Sequence, residues 1–133
     1  MKIVAVDVFQ HDLPVRGPVE GEPYRMAVQD VWHLDTTIVR LQCDDGTVGY
    51  GETCPLGSTY QPQHALGARA ALAEMAPHLV GLAPTAIGRV GAAMDAALMG
   101  HRYAKAAVDV ACWDATGKAY GVRFCDLLGG AVR

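Results

Sequence analysis

The amino-acid pattern changes period near residue 61, and that change sets the fold class before any motif is considered. Before it, Val, Ile and Thr alternate with polar residues. After it, alanine-rich segments repeat their apolar residues at helical spacing. Residues 3–9 read as one strand and residues 31–43 as a second. In the second, Thr37, Val39, Leu41 and Cys43 share one face, and Ile38, Arg40 and Gln42 the other. Asp45-Gly46 predicts a hairpin turn in which both residues accept positive φ. Residues 47–52 then return as a third strand, with Gly49 and Gly51 marking close backbone approach or a bulge. Residues 11–30 hold Pro14, Gly17, Pro18, Gly21 and Pro23 and keep neither period, so they read either as a lid or binding loop or as a disordered insertion.

Beyond the change of period, Pro62 is expected in the first turn of a helix carrying Ala65, Ala68, Leu72, Met75 and Leu79. Pro77 predicts a kink or an early end of that helix. Pro84 opens a second helix with Ile87, Val90, Met94 and Leu98, stopped by Gly100. Residues 103–120 form a third, apolar nearly all round and therefore covered on more than one face, with Gly121 as its C-cap. The expected fold class is α+β. A three-stranded antiparallel meander (1–61, with the long loop at 11–30) is followed by a helical bundle (62–133).

Length and charge narrow the function classes. The 133 residues suit one domain and fall short of the roughly 250 that a (β/α)₈ barrel needs. Net charge is −3, which argues against a nucleic-acid partner. A hydrophobic share of 51% with 19% charged residues excludes a mostly disordered chain. Met1-Lys2-Ile3-Val4 runs into Asp7 too soon for a secretory leader, and the apolar stretch 75–88 is broken by Pro77, Gly81 and Pro84. No membrane partner is expected, and the cytoplasm is the default location. Cys43, Cys54, Cys112 and Cys125 form no C-x-x-C pair and read as buried free thiols.

Residues able to carry chemistry are sparse. Asp44 and Asp45 read as turn formers. Asp109 and Asp114 diverge by about 140° on a helix and cannot share one ion. Asp114 with Lys118 makes an ordinary i,i+4 pair. Glu52 is either a local hydrogen-bonding group or a catalytic carboxylate. Cys54 and His64 both lie near the strand-to-helix junction, but a reactive thiol also needs a depressed pKa and an orienting group. Neither G-x-G-x-x-G nor a P-loop occurs. What stands out is the short polar loop 53–60, ending in Tyr60. With Tyr24 and Met26 of the long loop it can close over a ligand, the tyrosines offering a hydroxyl and a π-face to a cation or a ring. The alternative for these side chains is packing. Read from the residues alone, the chain is a domain with two binding loops and no catalytic group of its own.

Three motifs add a family resemblance. They are Gly49-Tyr50-Gly51-Glu52-Thr53-Cys54-Pro55, the run from Ala106-Ala107-Val108-Asp109 through Trp113-Asp114 to Gly117-Lys118-Ala119-Tyr120-Gly121, and Leu127-Leu128-Gly129-Gly130. Together they resemble the N-terminal capping domain of the mandelate racemase/muconate lactonizing group of the enolase superfamily. Residues 51–77 are similar to the branch of cis-3-hydroxy-L-proline dehydratases and hydroxyproline-betaine 2-epimerases. The resemblance implies an enzyme in which a barrel lysine removes the proton α to a carboxylate. Mg²⁺ held by barrel acids stabilises the enediolate, a second lysine then returns a proton (racemisation or epimerisation) or the β-hydroxyl departs (dehydration), and the substrate is a hydroxyproline or a proline betaine. Two capping loops, here residues 13–29 and 53–60, shut the site, with Tyr60, Tyr24 and Met26 as the substrate-contacting candidates.

The same resemblance places the paired lysines and the metal acids in a C-terminal barrel that these 133 residues do not include. Lys105 and Lys118 lie on a cap helix. The expectation is therefore that this chain carries no catalytic residue and no metal ligand. It should be inactive alone, pair with a barrel in cis or as a separate chain, and self-associate through the face the barrel would cover. Two alternatives stay open, a free-standing binding or dimerisation module and a cysteine enzyme using Cys54.

Overall fold

The computed structural model describes residues 1–131 apart from Arg16, Pro18 and Ser58. The strands are β1 (Ile3–Pro14), β2 (Tyr24–Arg25), β3 (Asp30–Val31), β4 (His33–Cys43) and β5 (Val48–Thr53). The helices are α1 (Ala65–Met75), α2 (Ile87–Ala97), α3 (Arg102–Tyr120) and α4 (Phe124–Leu127), with one 3₁₀ turn at Ala76–His78. β1, β4 and β5 form one antiparallel sheet in that order, and β2 and β3 form a separate two-stranded ribbon. The α+β class and the antiparallel three-stranded sheet followed by helices are as expected.

One sheet face is buried by α3 and α1. Val39 and Leu41 are fully buried, with Val8 and Val6 beside them across β1 and Gly51 and Gly49 beside them across β5. The core continues through Leu72, Met75, Val90, Met94, Ala107, Val108 and Ala111. The face carrying Ile38, Arg40 and Gln42 stays half-exposed. There, Asp7 accepts hydrogen bonds from Arg40 Nε (3.0 Å) and Gln42 Nε2 (2.7 Å).

The two strand glycines have a packing reason. A Cβ at Gly49 would overlap the carbonyl oxygen of Ala111, and one at Gly51 that of Ala107. α3 thus rides on the bare backbone of β5, facing it with alanines. The outer edge of β5 is covered by the same helix. Asp114 Oδ2 accepts from the Tyr50 N–H at 2.8 Å, and Lys118 Nζ donates to the Val48 carbonyl at 2.9 Å and to Asp114 at 2.6 Å. The expected i,i+4 pair therefore also caps a sheet edge that would otherwise be open to another strand.

Several boundaries differ from expectation. β1 runs past Phe9 to Pro14, because His11, Asp12 and Leu13 keep pairing with Thr36, Asp35 and Leu34 where the apolar alternation has already ended. The connection at 11–30 is accordingly shorter than expected and holds the β2–β3 ribbon. At the hairpin only Gly46 has positive φ (84°). The Gly46 N–H donates to the Cys43 carbonyl at 3.0 Å, and glycine alone takes the left-handed region while Asp44 and Asp45 keep negative φ. Pro62 lies outside α1, whose N-cap is His64, with Nδ1 accepting from the Gly67 N–H.

The early end expected at Pro77 is the change to a 3₁₀ turn after Met75. Pro84 precedes α2 rather than opening it, and α2 stops at Ala97, before Gly100. α3 ends as expected, with Gly121 at φ 66° donating to the Gly117 and Lys118 carbonyls. Of the four thiols, all free, only Cys43 and Cys112 are buried; Cys54 and Cys125 sit half-buried because each lies in a connection or short end helix outside the core.

Candidate functional site

Two loops meet at the end of the sheet where β4 begins. The first, residues 15–32, leaves β1, makes the β2–β3 ribbon through Tyr24↔Val31, and is held to the strand by the Val15 N–H on the Trp32 carbonyl at 2.9 Å. The second, residues 54–64, leaves β5 and turns at Gly57, whose φ is +81° and whose N–H donates to Pro55 at 2.8 Å. Arg16 and Pro18 of the first expected capping loop and Ser58 of the second lie outside the described residues. Gln29 Nε2 joins the loops by donating to the Leu56 carbonyl at 3.3 Å. A Cβ on Gly57 would stand 2.6 Å from that same nitrogen, so glycine is needed for both the turn and the fit.

The joined loops open on a cleft of about 690 Å³ floored by Val31, His33 and Asp35 and walled by Pro55 and by His64 and Leu66 of the α1 entrance. A second cleft of about 650 Å³ lies on the other side of Trp32 and His33, against Val15, Val19 and Glu22. Trp32 and His33 are shared by both, and Trp32 is about half exposed. Asp35 is not free to act as a base. Arg69 on α1 donates to its two oxygens at 2.7 and 3.0 Å, and that pairing holds the Asp35 carboxyl below its ordinary pKa. Glu52 points the other way along β5 and accepts from Thr36 Oγ1 at 2.5 Å, the local hydrogen-bonding role.

Of the sequence candidates, Tyr24 sits exposed on β2, Met26 half-buried at the ribbon turn with its N–H on the Gln29 carbonyl, and Tyr60 exposed within the second loop. The residues around the clefts that sequence reasoning did not single out are Trp32, His33 and Gln29, and His64, considered there only as a partner for Cys54, is instead the cap of α1. Trp32 and His33 were hidden inside an expected continuous strand. The break between β3 and β4, which frees the Trp32 ring, leaves no mark in the alternation. Among the described residues no three His, Cys, Asp or Glu side chains converge to hold a metal ion. No helix among them is long and apolar enough to cross a membrane.

With this architecture in place, the family can be assigned. The description "Mandelate racemase / muconate lactonizing enzyme, N-terminal domain" matches residues 6–129. The chain belongs to this family. Over all 133 residues it is 51% identical to cis-3-hydroxy-L-proline dehydratase of Roseibium aggregatum, covering 35% of that protein. It is 33% identical over 128 residues to muconate cycloisomerase 1 of Pseudomonas putida, covering 33% of it. Among solved structures, it matches a member of the enolase superfamily from Roseovarius nubinhibens ISM complexed with magnesium. The TM-score is 0.86 at 41% identity, covering 97% of this chain and 34% of that one. The chain thus spans about a third of the length of the relatives it matches.

Two of the three sequence motifs have a physical role in this fold. The Gly-Tyr-Gly motif is the strand on which α3 rides, and the Trp-Asp and Gly-Lys motif supplies the Asp114 and Lys118 that close its edge. Both are frame.

Proposed function

We propose that this chain is the capping domain of an enolase-superfamily enzyme acting on a 3-hydroxyproline-type substrate, with the loops 15–32 and 54–64 forming the movable wall of its reaction chamber. The observation that carries the reading is the 51% identity, unbroken over the whole chain, to a cis-3-hydroxy-L-proline dehydratase. The joined loops and their shared cleft support the capping role, since a wall tied at Gln29 and Leu56 can exclude water as one piece.

In this reading the proton α to the substrate carboxylate is removed by groups in a C-terminal barrel, and the β-hydroxyl then leaves. Tyr60, Tyr24 and Met26 are the loop side chains that meet the substrate. A tyrosine face or the Trp32 ring is a suitable neighbour for a cationic ring nitrogen. Magnesium dependence is proposed on the magnesium complex of the Roseovarius relative, with ligands outside the described residues. Exposed Val110, Tyr120, Val122 and Phe124 along α3 and its exit support a covering domain on that side. Cytoplasmic location and homo-oligomeric assembly belong to the same reading.

The test is to incubate the protein of natural length with Mg²⁺ and cis-3-hydroxy-L-proline in D₂O and follow the substrate by NMR. Loss of water from the ring is expected. Exchange of the α-proton with the hydroxyl retained would point to epimerisation. Absence of exchange with any proline derivative would end the substrate assignment.

A further inference from the structure

Two helix entrances come together near the first cleft, and a histidine holds the N-cap position of each, although only that of α1 makes a side-chain cap hydrogen bond. His64 is the N-cap of α1. Its Nδ1 accepts from the Gly67 N–H at 3.1 Å, so a helical amide without a carbonyl partner depends on an imidazole. The usual N-cap residues, Ser, Thr, Asp and Asn, stay acceptors at any physiological pH, whereas a histidine nitrogen does not. His101 is the N-cap of α3 and the one non-glycine residue with positive φ (49°) among the described residues. Its Nδ1 lies 3.4 Å from Tyr103 Oη. A Cβ at Gly67 would meet that Tyr103 hydroxyl at 2.8 Å and the His64 ring at 3.3 Å, so the phenol stands against the same turn.

We infer that His64 is a proton-sensitive latch on the cleft wall. Protonation turns Nδ1 from acceptor to donor, deprives the Gly67 N–H of its partner, and sets a cation at the positive end of the α1 dipole. The first turn of α1 then loosens, and that turn carries Ala65 and Leu66 into the cleft. The turn is firm where the imidazole is neutral and loosens as it charges. The titratable groups sharing the cleft are Asp30, His33 and Asp35, the last already bound to Arg69. From α3 the facing groups are Tyr103 and, behind it, His101. None of them replaces the acceptor that Gly67 loses.

Hydrogen–deuterium exchange on the protein of natural length tests this without recourse to activity. After correction for intrinsic exchange, protection at Gly67 is expected to fall about fivefold between pH 8 and pH 5, the factor that one N-cap is worth. His64→Asn, which keeps a pH-independent acceptor, should hold protection level across that range. His64→Ala should be low at both ends, and Tyr103→Phe and His101→Gly should behave as wild type. Level protection in the wild type, or the same acid loosening in His64→Asn, or its disappearance in His101→Gly, overturns the latch.

Discussion

Arg69 of α1 holds Asp35 of β4 with two hydrogen bonds, 2.7 and 3.0 Å long, while its Nη1 also reaches Thr37 Oγ1 at 3.2 Å. This fork fastens the first helix to the middle strand just beneath the cleft. The guanidinium is mostly buried and the carboxylate about two-fifths exposed, 18% and 39% of their side-chain surface. Arg69→Met should cost about 1–2 kcal/mol in urea unfolding, toward the lower end of charged hydrogen bonds because solvent reaches Asp35. A loss below a few tenths would mean that the fork is ornamental.

The same pair fixes an acid limit. The Arg69 hydrogen bond holds the Asp35 carboxyl below its ordinary value of 3.8. A carboxylate lowered on folding contributes stability above its unfolded value and loses it as pH falls through the folded one. The stability gap between wild type and Arg69→Met should therefore be constant above about pH 5 and close progressively below the ordinary aspartate range. A gap that widened in acid would contradict the assignment.

Glycine substitutions should split by position. At Gly51 a methyl meets the Ala107 carbonyl, so Gly51→Ala must push α3 off the sheet, at about 1–3 kcal/mol or more. In α2, Gly91 has open space around its Cβ position, and Gly91→Ala should gain about 0.5–1 kcal/mol from helix propensity. Thermal melts of the two variants decide, and shifts of the same sign would refute the backbone-contact account of β5.

Asp114→Ala should do two things at once. It removes the acceptor of the Tyr50 N–H, at about 1 kcal/mol, and uncovers the β5 edge. Sedimentation should then reveal concentration-dependent association exceeding that of wild type. Loss of stability with unchanged association would restrict Asp114 to the hydrogen bond.

Thiol chemistry should separate the cysteines into two pairs. Burial pushes the Cys112 thiol up to about 12 and also raises that of Cys43. Native alkylation should modify the half-buried Cys54 and Cys125 and reach Cys43 and Cys112 only after denaturation. Rapid labelling of Cys112 in the folded protein would contradict the core arrangement.

The sheet and helices were legible in the sequence wherever burial is one-sided. The alternation of Thr37, Val39, Leu41 and Cys43 and the glycine stop after Tyr120 are both found as read. Gly49 and Gly51 were legible as a close approach, although what approaches was not. Legibility failed where pairing outlasts hydrophobicity, as in β1 from Gln10 to Pro14, and where an atypical cap begins a helix, as His64 does. The cleft was half legible. Its loops announced themselves through Pro and Gly, but Trp32 and His33 depend on a strand break made by tertiary pairing, and Gln29 on a contact 27 residues distant.

The seating of α3 on the naked backbone of β5 has a bearing on how such a module can diversify. With no cushion of side chains between helix and strand, that seam has almost no slack, and even one added methyl is felt across the whole scaffold. The loops at its end hang from the seam without entering it. Mutational drift can therefore recast those loops repeatedly while the chassis beneath them tolerates next to nothing.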